Sequence, residues 1–105
     1  MDPRDAHARL DEFFVLDVRE PMEWARGRAD GSVHIPMSEL GARQAELPTD
    51  RTILCVCRSG SRSAAVTRAL RDAGYAAENL EGGLKRWAAD GLPLVADGDA
   101  APFVA

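Results

Sequence analysis

Two stretches of this chain are apolar at almost every position. Elsewhere, apolar residues fall at helical spacing or are interrupted by glycine and proline. Phe13-Phe14-Val15-Leu16-Asp17-Val18 and Thr52-Ile53-Leu54-Cys55-Val56 are unbroken runs of strand length, the pattern of strands covered on both faces. Before the first run, Pro3 to Leu10 reads as a short helix, with Asp2 as its cap and Pro3 in its first turn. After it, Glu20 to Arg26 reads as a helix closed at Gly27. A loop from Gly27 to Gly31 leads to a short strand, Val33-His34-Ile35, ended by Pro36. Ser38 is placed to cap a helix reaching about Glu46, and Pro48-Thr49-Asp50 reads as a turn. Beyond the second run, a helix starts at Ser63. Its Val66, Ala69, Leu70 and Ala73 share one face, and Gly74 closes it. Ala76 to Leu80 is a weak strand, and Gly82-Gly83 opens a last helix from Leu84 to Ala89.

Strands and helices alternate throughout. The fold class is therefore α/β, with a central, mainly parallel sheet of about five short strands and helices on both faces. The chain has 105 residues, enough for one compact domain and too few for two. That domain is expected to span residues 1–95. Residues 96–105, small and polar except for Phe103 and Val104, are expected to form a poorly ordered tail.

Charge and composition narrow the function. A formal net charge of -4 argues against nucleic-acid binding, which needs a basic footprint. No apolar run approaches the roughly 20 residues of a membrane span, so no membrane partner is expected. Met1-Asp2-Pro3-Arg4-Asp5 lacks the apolar core of a signal peptide, and the protein is read as cytoplasmic. Cys55 and Cys57 stand two apart on one extended segment, poor geometry for a disulfide. Reduced thiols in a reducing compartment are expected.

The chemistry is concentrated in Cys57-Arg58-Ser59-Gly60-Ser61-Arg62. Cys57 directly follows a buried strand, and in parallel sheets ligands bind outside the carboxyl ends of strands. Gly60 permits backbone conformations closed to other residues. Ser59, Ser61 and Ser63 are small hydrogen-bond donors. Successive amides in such a turn form an anion-binding nest, and the following helix adds its positive end. Arg58 and Arg62 add full charges and fork-shaped donors. A thiolate at the centre of this bowl is stabilised over the thiol. The same bowl can hold an anionic sulfur donor and then shield a persulfide, chemistry that needs no metal or organic cofactor. A cysteine in this position can also be only a small core residue. That reading is preferred for Cys55, which lies inside the strand. The residue physics leaves the choice between sulfur and phosphate chemistry open.

The chain from about Asp2 to Leu94 resembles the rhodanese-like domain. The resemblance is carried by Val15-Leu16-Asp17-Val18-Arg19-Glu20, Gly31-Ser32-Val33-His34-Ile35-Pro36, Cys57 to Ser63, and Leu80-Glu81-Gly82-Gly83-Leu84-Lys85-Arg86-Trp87. It implies a catalytic Cys57 whose persulfide is cradled by amides from Arg58 to Ser63. It implies sulfur transfer from thiosulfate or another small anionic sulfane donor to cyanide or a thiol, including a thiol-carrying protein. A six-residue loop is the length associated with sulfur substrates; related phosphatases and arsenate reductases use one residue more. Asp17 and Arg19 are implied to organise the site through hydrogen bonds and ion pairs. Trp87 is expected to pack the last helix on the sheet, and Trp24 to pack likewise or to line the pocket edge. His34 is expected to be a satisfied or surface histidine.

The chain departs from the family pattern at Arg28 and Asp30, where members often carry histidine and proline. A more mobile loop is expected there. Relatives often have an edge strand before the first helix, of which Met1-Asp2 can supply only the end. Two other functions fit parts of the pattern: a persulfide-carrying or regulatory binding module, and a phosphatase- or arsenate-reductase-like enzyme.

Overall fold

A computed structural model describes residues 1–105. Four parallel strands form one sheet in the order β2-β1-β3-β4. They are β1 (Phe13–Asp17), β2 (Val33–His34), β3 (Thr52–Val56) and β4 (Ala77–Asn79). The helices are α1 (Pro3–Ala8), α2 (Pro21–Arg26), α3 (Ser61–Asp72) and α4 (Gly83–Ala89).

The two apolar runs are the central pair, in register from Phe13 opposite Thr52 to Asp17 opposite Val56. Their alternating side chains feed two cores. Leu16, Val18, Ile53, Cys55 and Cys57 join Val66 and Leu70 of α3 on one face. Phe13, Val15, Leu54 and Val56 join Ala6 of α1 and Leu84 and Trp87 of α4 on the other. Unbroken apolar runs are thus what a strand covered on both faces requires. Trp87 is buried as expected, and its indole N–H donates to the Pro93 carbonyl at 2.8 Å.

The sheet has four strands, not about five. In place of a fifth, Met1 alone continues the ladder beyond β4. Its amino group donates to the Asn79 carbonyl at 2.7 Å, and its carbonyl accepts from Glu81 N–H at 2.9 Å. The expected helix from Ser38 to Glu46 is also absent. Two 3-10 turns, Met37–Glu39 and Gln44–Glu46, flank Gly41 instead. Ser38 makes no capping bond, and the segment lacks the regular apolar stripe that would hold a longer helix to the core.

Residues 96–105, expected to be a poorly ordered tail, run back along α2. Asp97 N–H donates to the Ala25 carbonyl and Phe103 N–H to the Arg26 carbonyl, both at 3.0 Å. The Arg28 position, expected to loosen its loop, is instead bonded several ways. Its backbone pairs with Val95, and its guanidinium reaches the Trp24 carbonyl and the Asp97 carboxylate.

The order β2-β1-β3-β4 sends the chain from β1 to one side and from β3 to the other. The carboxyl ends of β1 and β3 therefore flank the point where connections diverge, the usual place for a ligand crevice. Asp17 to Arg19 lie at one of these ends and Cys57 at the other.

Candidate functional site

Cys57 is fully buried beneath the loop that joins β3 to α3. Three donors converge on its sulfur. Gly60 N–H lies 3.1 Å from Sγ, the Ser63 hydroxyl 3.2 Å and Ser63 N–H 3.4 Å. Burial on its own pushes the thiol pKa up. These bonds, with a further contribution from the Ser59 amide, outweigh it and hold Cys57 below the ordinary cysteine value. Two positions away, Cys55 shows the opposite balance. It is equally buried but has no comparable set of donors, and burial pushes its pKa up to about 11.

The loop's amides face inward because its carbonyls are held from outside. Leu84 N–H donates to the Cys57 carbonyl and Lys85 N–H to the Arg58 carbonyl, each at 2.9 Å. These are first-turn amides of α4, which have no partner within their own helix. The Asn79 side-chain amide donates to the Gly60 carbonyl at 3.1 Å, alongside the helical bond from Ala64 N–H. Gly60 caps α3 in the left-handed region, with φ 98°, and α3 begins at Ser61 rather than at the expected Ser63.

The other expected site residues divide into three groups. Asp17 and Arg19 form a buried, two-point ion pair, with Nε–Oδ1 at 2.9 Å and Nη2–Oδ2 at 2.8 Å. Arg19 also reaches the Gly27 carbonyl at 2.7 Å, which ties β1 to the end of α2. Arg62 does not stand free. Its guanidinium is clamped by both oxygens of Glu23 at 2.8 and 2.9 Å. Arg58 is exposed and donates from Nε to the main-chain oxygen of Ala105 at 3.1 Å. The exposed Ser59 and Ser61 side chains make no bond to Cys57; Ser59 contributes its backbone.

Glu23 and Asn79 are not among the residues that the sequence marks, and Gly83 figures there only as the opening of the last helix and within a family-like segment. Glu23 carries a local signal: it follows the helix-opening Glu20 by three residues, and its Oε1 accepts Glu20 N–H at 3.0 Å. The same carboxylate then reaches Arg62, whose hydrogen bonds, ahead of its charge, bring the Glu23 pKa down to about 2. His34 is satisfied, as expected. Its Nε2–H donates to the Arg19 carbonyl at 2.7 Å, and its ring stacks on Trp24 at 4.8 Å.

None of the larger surface cavities is lined by Cys57. The arrangement is a closed amide cradle for an anionic sulfur. Its donor set stabilises a thiolate over the thiol.

Comparison with known proteins bears on the family and the fold. The family model of the Rhodanese-like domain matches residues 2–90. A sulfurtransferase of Allochromatium vinosum is 38% identical over 90 residues, covering 85% of this chain and 84% of that protein. A putative sulfurtransferase of Bacillus subtilis is 35% identical, covering 79% of this chain and 81% of that protein. The crystal structure of a rhodanese-related protein from Thermoplasma volcanium superposes with a TM-score of 0.88 at 35% identity. It covers 90% of this chain and 95% of that one.

Proposed function

The chain belongs to the rhodanese-like domain family, and from that premise we propose that it is a sulfurtransferase working through a persulfide on Cys57. The reading is carried by one observation: amide and hydroxyl donors converge on a single buried sulfur in a six-residue loop.

In the first half-reaction the Cys57 thiolate attacks the sulfane sulfur of thiosulfate or a related donor. A new S–S bond forms, and the donor's own bond to that sulfur breaks. With thiosulfate, sulfite departs with the bonding electron pair. The product, Cys57–S–S⁻, keeps its negative charge within reach of the amides of Ser59, Gly60 and Ser63. The incoming donor meets Ser61 and Arg62 at the start of α3 and Arg58 beside them, with Arg62 already paired to Glu23 and Arg58 bonded to Ala105, so the loop amides and the α3 N-terminus carry most of the attraction. In the second half-reaction cyanide or a thiolate, including one carried by a protein, attacks the outer sulfur. The Cys57–S bond breaks and the thiolate is restored. Asp17 and Arg19 position β1 and α2 around the loop. No step needs a metal or organic cofactor. The cytoplasm, where free thiols stay reduced, suits both cysteines.

Incubation with thiosulfate or polysulfide should add one sulfur atom to the intact mass of the protein, and Cys57→Ser should abolish the gain. A protein that never gains sulfur from any such donor is not a sulfurtransferase of this kind. Hydrolysis of an aryl phosphate lost in Cys57→Ser would move the reading to phosphoryl transfer.

A further inference from the structure

The segment after α4 returns to the site loop by a defined route. Val95 pairs with Arg28 in an antiparallel bridge, and Asp97 binds the Arg28 guanidinium at 2.9 Å. Phe103 N–H bonds to the Arg26 carbonyl, Val104 packs on the α1–α4 core, and the Ala105 main-chain oxygen accepts Arg58 Nε. The Phe103 backbone lies directly on Gly27, where any β-carbon would overlap the Phe103 carbonyl oxygen. Gly27 has an extended backbone, φ 177°, that any residue adopts. The close passage of Phe103, not backbone strain, is what restricts this position. The family match ends at residue 90, so this strap lies outside the matched domain.

The consequence is electrostatic. Of the two loop arginines, Arg62 is already neutralised by Glu23, and Arg58 is bound to the strap. We propose that residues 103–105 are a specificity-determining strap. By holding Arg58 on the Ala105 main-chain oxygen, they withhold the second loop cation, and so disfavour small anionic reactants at Cys57 relative to uncharged ones. The inference rests on Cys57 being the reacting thiol of the proposed sulfur transfer.

Alkylation of the full chain by iodoacetate and by iodoacetamide tests it without requiring turnover. Both reagents lose iodide to the Cys57 thiolate, so the ratio of their rate constants cancels the thiolate fraction and reads the local field. Cys57→Ser reports any background from Cys55. Gly27→Ala, whose methyl group evicts Phe103, should raise the iodoacetate-to-iodoacetamide ratio about threefold, the scale of one exposed charged hydrogen bond. Val104→Ser, which loosens the strap elsewhere, should move it the same way. Adding Arg58→Ala to Gly27→Ala should cancel the rise. Equal acceleration of both reagents would make the strap a steric cover only and overturn the proposal. So would an unchanged ratio in both strap variants, or a rise that survives loss of Arg58. If the sulfurtransferase reading itself fails, the sulfur adduct is missing while the alkylation ratios still shift.

Discussion

A β-carbon on Gly83 would stand 2.6 Å from the Cys57 carbonyl oxygen, nearer than real β-carbons approach, and would overlap the Arg58 carbonyl as well. Gly83 also sits at φ 62°, in the left-handed region. The absence of a side chain therefore lets the start of α4 lie against the loop and hold its carbonyls outward. Gly83→Ala should cost about 2 kcal/mol or more through strain and displacement. It should also raise the Cys57 pKa as the loop amides turn. A lowered urea midpoint together with a higher inflection in iodoacetamide reactivity would establish both effects.

Asn79 acts on the same loop from β4. Its amide N–H₂ holds the Gly60 carbonyl, and its buried Oδ1 has no partner. Asn79→Ala removes one donor and should raise the Cys57 pKa modestly. Asn79→Asp should raise it further, because a carboxylate near the loop repels the thiolate as well. Equal inflections in the two variants and the parent would leave Asn79 with no part in the cradle.

The sheet and the loop were legible in the sequence for a simple reason. Residues 13–18 and 52–56 are covered on both faces, so apolar identity is favoured at almost every position, Asp17 and Thr52 excepted. The loop's Gly60 and serines are local anion-binding chemistry. The partners of that loop were harder to find. Glu23 meets Arg62 across 39 positions, and α4 meets Cys57 across 27. Such contacts are made by the fold, and single-residue pattern does not carry them. Arg58 and Arg62 illustrate the same limit. Their charge is evident from the sequence, but its commitment to Ala105 and Glu23 depends on α2 and the strap. The missed 3-10 turns at 37–46 reflect a segment without a regular apolar stripe, where local propensity and tertiary contact disagree.

The Asp17–Arg19 pair is buried on both sides, with side-chain exposures of 1% and 0%. Removing one partner strands a charge away from water. Asp17→Ala should therefore destabilise the fold by about 3–5 kcal/mol, far more than loss of an exposed pair. Urea unfolding monitored by tryptophan fluorescence would measure it. A loss below about 1 kcal/mol would mean that water or Glu23 takes over the guanidinium.

Glu23 gives the fold an acid-sensitive component. Its hydrogen bonds from Arg62 hold its pKa at about 2, below its ordinary value. A depressed carboxyl stabilises the fold above its unfolded pKa, and that stability is lost as pH falls through the folded one. The pair is partly exposed, so its contribution is about 2 kcal/mol after solvent screening, lost between about pH 4.5 and 2. Glu23→Gln should flatten the stability profile in that window and leave its slope near neutrality unchanged.

Ser63 provides two of the three close contacts to the Cys57 sulfur, and Ser63→Ala removes only the hydroxyl. A hydrogen bond to a charged group contributes about 1.5–3 kcal/mol, so the Cys57 pKa should rise by about one unit or more. The sign is fixed by which form the hydroxyl favours: it donates to the thiolate, so its loss favours the thiol. At neutral pH the variant should react more slowly with iodoacetamide, because less thiolate is present. At high pH, where both proteins are fully ionised, the rates should converge or the variant should overtake, since a more basic thiolate is the better nucleophile. A variant that is slower at every pH by one constant factor, with its inflection unmoved, would show that Ser63 shapes access to Cys57 and does not set its charge.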